Sequence, residues 1–200
     1  HGLHISRRKC KMWVKIIVAS IPAGVVGILW DDVFTKYFYN YQTVAIMLIL
    51  VGVVFILVER ANKNKVARVD SIDDISYGQA FMIGVFQMIA AIFPGTSRSG
   101  STIVGSLMLG ISRTAAAEFT FFLAVPAMFG GSAIKILKYD GGFNSSEVAL
   151  LAIGMIVAFV LSIIAIKFLM SYIKKHDFKA FGWYRIVLGV AVIGYFLATR

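Results

Sequence analysis

The sequence predicts an all-α integral membrane protein with about five transmembrane helices and one re-entrant helical hairpin. Of its 200 residues, 59% are hydrophobic and only 15% are charged, whereas a soluble domain is about half apolar and one-quarter charged. The apolar residues fall into long blocks, which is typical of a chain that crosses a bilayer. No long polar linker separates the blocks, so residues 1–200 are expected to form a single polytopic membrane domain.

Five apolar blocks are long enough to span the hydrocarbon core, which takes roughly 17–25 residues. Pro22 lies in the middle of the first block and is expected to kink it, which lipid-embedded helices tolerate. The predicted spans are Trp13–Trp30, Thr43–Val58, Thr114–Ile136, Val148–Tyr172 and Trp183–Leu197.

A sixth apolar stretch, Gln79–Phe93, is too short to be a simple span. It stops at a polar turn, and a second short apolar run, Thr102–Ile111, follows at once. Two half-length helices around a polar turn predict a re-entrant hairpin over residues 79–111. Ser76 and Gln79 have the spacing of a capping box, which would begin the first arm.

The net charge of +10 would suggest nucleic-acid binding in a soluble protein. Here the basic residues lie between apolar blocks, so they indicate membrane topology, and no nucleic-acid partner is expected. One set of loops carries most of them: Arg7, Arg8, Lys9, Lys11, Lys15, Arg60, Lys63, Lys65, Arg68, Lys174, Lys175 and Lys179. The opposite loops and the tail hold Lys36, Lys135, Lys138 and Arg200. The positive-inside rule then predicts a hairpin that enters and leaves from the cytoplasm and a C-terminus outside.

The segment Phe93–Thr102 is the candidate functional site, because it places Arg98 among hydroxyl side chains at membrane depth. A charged side chain there costs at least ~2.5–3.5 kcal/mol unless it is paired or hydrated. A helix beginning near Ser101 would add free N–H groups and the positive end of its dipole. Arginine, hydroxyls and a helix N-terminus together predict a phosphate site. In the alternative, Arg98 pairs with a carboxylate such as Glu118 and only ties helices together.

This segment partly resembles two motifs of soluble enzymes but matches neither of them. Residues 95–102 follow a P-loop pattern in which Ser101 replaces the required lysine. The serine-hydrolase pattern G-x-S-x-G also fails, because Ser99 stands where its last glycine belongs.

The same segment resembles the P-G-x-S-R-S-G-x-T motif of undecaprenyl-diphosphatases, the bacitracin-resistance type of membrane phosphatase. The resemblance extends from about Trp13 to the C-terminus. The matching residues are Pro94-Gly95-Thr96-Ser97-Arg98-Ser99-Gly100-Ser101-Thr102, with flanks Gln79–Gly84, Phe86-Gln87, Gly110-Ile111-Ser112-Arg113 and Glu118–Pro126.

This resemblance implies a bacterial inner-membrane enzyme built from two inverted repeats, each with one re-entrant hairpin. Such an enzyme hydrolyses a C55 isoprenyl diphosphate lipid to the monophosphate carrier of cell-wall synthesis, with a divalent cation (Mg²⁺ or Ca²⁺) as cofactor. By resemblance, the catalytic residues are Arg98, Ser97, Ser99 and Thr102. Phosphate binding falls to Arg98, Gly95, Gly100 and Ser101, and Glu118 and Gln87 are candidates for a supporting layer.

The family's first-hairpin motifs, E-x-x-x-E and Ser-Ser-x-Gly-His, do not occur in this chain. The chain thus resembles an N-terminally truncated enzyme, with no metal ligands of its own and no expected activity alone. His1, His4 and His176 are expected to be solvated. A transporter or flippase of a phosphorylated isoprenoid carrier is the alternative, because inverted repeats with broken helices are also a transporter architecture. Whether the chain forms a homo-oligomer is left open.

Overall fold

The computed structural model describes residues 7–139, 141–142 and 144–199, with the side chains of residues 31 and 32 outside the description. Within those ranges the chain is all-α, as predicted, apart from an isolated β-bridge between Val69 and Ile111. His1, His4 and Arg200 lie outside the described residues. The helices are α1 Arg7–Phe38, α2 Tyr41–Asn62, α3 Tyr77–Ile92, α4 Arg98–Met108, α5 Arg113–Leu137, α6 Ser145–Ile173 and α7 Lys179–Ala198, with a short 3₁₀ turn at Ile72–Asp74.

Five of these helices, α1, α2, α5, α6 and α7, are long and apolar enough to cross a membrane. They coincide with the five predicted spans. Helices α1, α2, α6 and α7 extend several residues beyond the predicted bounds at one or both ends, and α5 extends one residue at each end. Helix α1 is continuous through Pro22, and α5 through Pro126. The protein is therefore a multi-pass membrane protein.

Helices α3 and α4 form the predicted helical hairpin, whose re-entrant course in a bilayer stays a prediction. Its first arm begins with the predicted capping box: the Ser76 hydroxyl accepts from the Gln79 backbone N–H (3.1 Å), and Gln79 Oε1 accepts from the Ser76 N–H (2.9 Å). The second arm begins at Arg98, so the predicted start near Ser101 is wrong by three residues. The earlier start follows from a cap, because the Ser97 hydroxyl accepts from the Gly100 N–H at 3.2 Å.

One end of the bundle collects the loops predicted to be cytoplasmic, and we call it the basic end. There Arg8 of α1 hydrogen-bonds and pairs with Asp73, which holds the pKa of that carboxyl below its ordinary value. Asn62, at the end of α2, donates to the Leu107 carbonyl near the end of α4 (3.2 Å). Gln79 in α3 donates to the Leu109 carbonyl (3.5 Å), so both hairpin arms have their free ends here.

The hairpin turn lies close to the opposite end of the bundle. The Phe93 ring contacts the Phe38 ring at the end of α1, with centroids 4.8 Å apart. A Cβ atom on Gly95 would lie only 2.6 Å from the carbonyl oxygen of Val44, near the start of α2. Since the 16 residues of α3 span about 24 Å, the hairpin reaches across most of the bundle rather than to its middle.

The second arm of the hairpin is the most enclosed helix of the fold, because α4 is buried from Gly100 through Leu107. The large helices hold it in position. Gly52 of α2 and Gly182 of α7 cross so closely that a Cβ on Gly52 would lie 2.7 Å from the Gly182 carbonyl oxygen. Helix α6, by contrast, is exposed along nearly its whole length, as suits a lipid-facing helix.

Candidate functional site

The turn that joins α3 to α4 has an unusual backbone. Ser97 has φ 62° and ψ 118°, and it is the one non-glycine residue with positive φ among the described residues. Such a conformation is sparsely populated and persists only where surrounding contacts enforce it. Gly95, at φ 89°, provides a second left-handed position that packs directly on the α2 backbone. The sequence between the two arms is thus held in a fixed, strained shape.

Arg185 of α7 supplies the contacts that fix this turn. Its Nη1 atom donates to the carbonyl oxygens of Gly95 and Thr96, at 3.3 Å each. Arg185 was not among the residues predicted to form the site, although it lies within the predicted fifth span. The insertion cost that singled out Arg98 applies equally to an arginine there, so charge within an apolar block was the signal available.

Arg98 lines a cavity of about 850 Å³ between α1, α3 and α5, which we call the arginine cavity. Among the described residues, its side chain makes no hydrogen bond or ion pair with the protein. The predicted alternative, a pair with Glu118, is therefore not found, and Glu118 does not line this cavity. Gln87 and Lys138 both line it, and the supporting role of Gln87 stays a prediction.

The wall of the arginine cavity is mostly small or apolar. Gly24, Gly27, Gly130 and Gly131 line it, and a Cβ atom added to any of them would meet nothing within 4 Å. The described side chains that line it include no Asp, Glu or His. The cavity therefore suits a ligand with an anionic head and an apolar body.

The serine hydroxyls of the motif face a different space. Ser97, Ser99, Gly100 and Arg185 line a pocket of about 110 Å³ walled by aromatic side chains. The hydroxyls of Ser97 and Ser99 are 3.3 Å apart. The structure thus separates Arg98 from two of the hydroxyls that the resemblance groups with it.

The remaining motif side chains are buried. Thr102 is 1% exposed, and its hydroxyl is 3.0 Å from that of Thr120, where it joins α4 to α5. Ser101 is also buried, and the buried hydroxyl of Thr96 has no hydrogen-bond partner among the described residues. These three residues do not line the arginine cavity.

A second missed feature is the buried carboxylate Glu59, which lies one residue beyond the predicted end of the second span. It is 1% exposed and accepts from Arg113 Nε at 3.0 and 3.1 Å and from the Phe178 N–H at 3.1 Å. Its oxygens are thus already engaged. His176 is exposed and stacks on Tyr172, in keeping with the expectation that it is solvated.

The divalent cation implied by the resemblance does not fit the described residues. They contain no group of three His, Cys, Asp or Glu side chains close enough to hold a metal ion. The polar side chains that line the arginine cavity are instead one amide, one arginine, one lysine and the Ser20 hydroxyl, which donates to the Ile16 carbonyl at 2.8 Å. This donor set suits an anion and not a cation.

The fold and this site define a polytopic membrane protein with an arginine-bearing helical hairpin suited to anions. Residues 2–191 match the family described as bacitracin resistance protein BacA, and the chain belongs to this family. It is 63% identical over 197 residues to the undecaprenyl-diphosphatase of Desulfitobacterium hafniense, covering 98% of this chain and 71% of that protein. It is 58% identical over 196 residues to undecaprenyl-diphosphatase 1 of Clostridium acetobutylicum, covering 98% and 72%. An undecaprenyl-diphosphatase of Enterococcus faecalis is 56% identical over 189 residues, covering 94% and 68%.

Proposed function

We propose that this protein, produced from its natural gene, hydrolyses undecaprenyl diphosphate to undecaprenyl phosphate and inorganic phosphate. The observation that carries the proposal is Arg98, a cation without a protein partner among the described residues, at the wall of a mostly small and apolar cavity. A diphosphate head group would neutralise this cation, and an isoprenyl chain would occupy apolar space. The names of the similar proteins support the same substrate. The activity would recycle the lipid carrier of cell-wall synthesis, which accords with the bacitracin resistance family.

The reaction breaks the bond between the terminal phosphorus and the bridging oxygen of the diphosphate. A water oxygen forms the new bond to that phosphorus, a proton passes to solvent, and undecaprenyl phosphate departs. Negative charge spreads over the phosphoryl oxygens during this step, and the planar guanidinium of Arg98 would engage two of them. The described residues that line the cavity would therefore supply charge stabilisation and orientation rather than proton transfer.

Arg185 would act as a positioning residue, because it binds the turn rather than the arginine cavity. Replacing it with methionine should lower kcat about 100-fold, since small displacements of a positioned group cost that much. KM should change little. Arg185→Lys should recover part of the rate, because an ammonium group still donates to carbonyl oxygens. Phosphate release from undecaprenyl diphosphate at varied substrate concentration separates the two constants.

Lys167→Met is the matched control for Arg185→Met, because Lys167 is an exposed cation within α6. Its kcat should stay near that of the unaltered protein. Equal kcat values for the two methionine variants would exclude a positioning role for Arg185.

We also propose that the protein lies in the bacterial plasma (inner) membrane with its basic end in the cytoplasm and its C-terminus outside. The charge difference between the two ends supports this orientation. The hairpin turn then lies towards the outer surface, so phosphate would leave on that side.

Cysteines introduced at Asn40 and Asn144 should react with an impermeant thiol reagent added outside sealed cells, whereas one at Lys65 should not. All three positions are exposed, so the difference would report the side of the membrane and not burial. Cys10, which is exposed, is first replaced by serine. Labelling at position 65 together with protection of positions 40 and 144 would contradict the proposed orientation and support the inverted one.

A further inference from the structure

A second cavity, of about 410 Å³, opens at the basic end of the bundle, and we call it the basic cavity. It lies where the ends of α2, α4 and α6 meet the start of α5, and it shares no lining residue with the arginine cavity. Glu59 lines it, whereas the hairpin turn packs on Val44, 15 residues earlier on α2. This spacing corresponds to about 22 Å along the helix, so the two cavities are separate.

Four cations and one carboxylate line the basic cavity. The carboxylate of Glu59 is already bound by two nitrogens of Arg113 and by the Phe178 N–H. The other three cations, Lys65, Arg68 and Lys174, have no ion pair among the described residues. The wall of the cavity therefore carries a local excess of positive charge.

These cations come from different parts of the chain and converge on one concavity. Lys65 and Arg68 belong to the segment after α2, and Lys174 follows α6. Arg68 is anchored, because its backbone N–H donates to the Gly110 carbonyl at 2.8 Å and its aliphatic stem packs on Gly110. The positive-inside rule requires basic loops on this side, but it does not require three of their cationic side chains to line one cavity.

The first turn of α5 adds to the same field. Arg113 and Thr114 line the cavity at the start of a 25-residue helix, whose backbone N–H groups and dipole favour an anion. The lining thus combines lysine and arginine side chains with a helix N-terminus, at the level where loops meet the membrane surface.

We propose that the basic cavity binds a phosphate group at the cytoplasmic surface, either inorganic phosphate or the phosphate of an anionic lipid head group. Both sources present the same chemistry to Arg68 and Lys174, namely oxygens that accept charge-assisted hydrogen bonds. This site is separate from the proposed substrate site at Arg98 and does not depend on hydrolysis there.

The test uses Arg68→Gln/Lys174→Gln in the protein produced from its natural gene. Lys63→Gln/Lys175→Gln is the matched control, because both lysines are exposed at the same end and neither lines the cavity. Every variant also carries Arg98→Gln, so that phosphate bound at the hairpin does not contribute. The probes are inorganic phosphate, dioctanoyl phosphatidate and, as a neutral-headgroup comparison, dioctanoyl phosphatidylcholine, each titrated calorimetrically into purified protein in detergent.

We expect the Kd of a phosphate probe to be at least about tenfold higher in the Arg68/Lys174 variant. Each basic side chain near a membrane surface contributes several-fold to the affinity for an anion. The Lys63/Lys175 control variant should keep the Kd of the Arg98→Gln protein, which is the parent of both double variants, within about twofold. Binding of inorganic phosphate and phosphatidate in competition would identify a general phosphate site, and binding of phosphatidate alone would identify a lipid head-group site.

Absence of binding by the parental protein would overturn the proposal, as would equal weakening in both double variants. In the second case, the charge of the surface and not this cavity would be responsible. Hydrolysis, measured in variants that keep Arg98, reports separately on the proposed function.

Discussion

Replacing Arg98 with alanine removes nearly all diphosphatase activity, by an expected factor of at least about 100. Among the described residues, Arg98 is the one arginine on the wall of the arginine cavity, and its side chain makes no ion pair with any of them. Without it, charge that develops on the phosphoryl oxygens loses its main partner. Arg98→Lys should recover little, because lysine keeps the charge but loses the planar fork that engages two oxygens. Phosphate release from undecaprenyl and farnesyl diphosphates in detergent provides the measurement.

Lys135→Ala is the control for Arg98→Ala. Lys135 is an exposed cation near the end of α5, and it does not line the arginine cavity. Its activity should be close to that of the unaltered protein. If Arg98→Ala turns substrate over at a near-normal rate, the role assigned to Arg98 is wrong.

The largest effect on stability is expected at Glu59. Glu59→Ala leaves the Arg113 guanidinium without its carboxylate and the Phe178 N–H without its acceptor. Removing one partner of a fully buried ion pair costs about 3–5 kcal/mol, but the Arg113 side chain is 37% exposed and can be hydrated. We therefore expect a cost of about 2–3 kcal/mol, which corresponds to a fall in Tm of roughly 4–12 °C for a chain of this size. Thermal unfolding of the purified protein in detergent provides the measurement.

The double variant Glu59→Leu/Arg113→Met distinguishes this cause from simple loss of packing. When both partners become apolar, no unpaired charge remains, so the part of the lost Tm that is due to Arg113 should return. The part that is due to the Phe178 N–H should not return, because this buried donor still lacks an acceptor. A double variant that is less stable than Glu59→Ala would show that packing around the pair, and not the unpaired charge, sets the stability.

The spans and the hairpin were accessible to sequence analysis because each depends on a local property. The length of an apolar block decides whether it crosses a bilayer, and the Ser76–Gln79 spacing decides where the first arm begins. The same kind of local property singled out Arg98, since the cost of a charge inside an apolar region depends only on its position, and its functional role stays a prediction. The partners of Arg185 and Glu59 were not predictable, because they are distant in sequence. Arg185 binds Gly95, 90 residues away. Glu59 binds Arg113 and Phe178, which are 54 and 119 residues away.

The separation of Arg98 from the serines was missed for a geometric reason. From the sequence, Ser97, Arg98 and Ser99 were expected to lie together in the polar turn before a helix that begins near Ser101, grouped around one phosphate. In the structure α4 already begins at Arg98, and successive residues of a helix point about 100° apart. Arg98 and Ser99 therefore face different cavities. The left-handed backbone of Ser97 had no sequence signal either, because positive φ favours glycine or asparagine and not serine.

The crossing of α2 and α7 at Gly52 and Gly182 has an evolutionary consequence. The hairpin turn is held by Val44 on one of these helices and by Arg185 on the other. Their spacing at the glycine crossing therefore helps to set the position of the turn. A side chain at either glycine would push the helices apart, and no change at the other could compensate, since neither has an atom left to lose. Selection on the turn should thus keep both positions small across the family, although neither contributes a functional group.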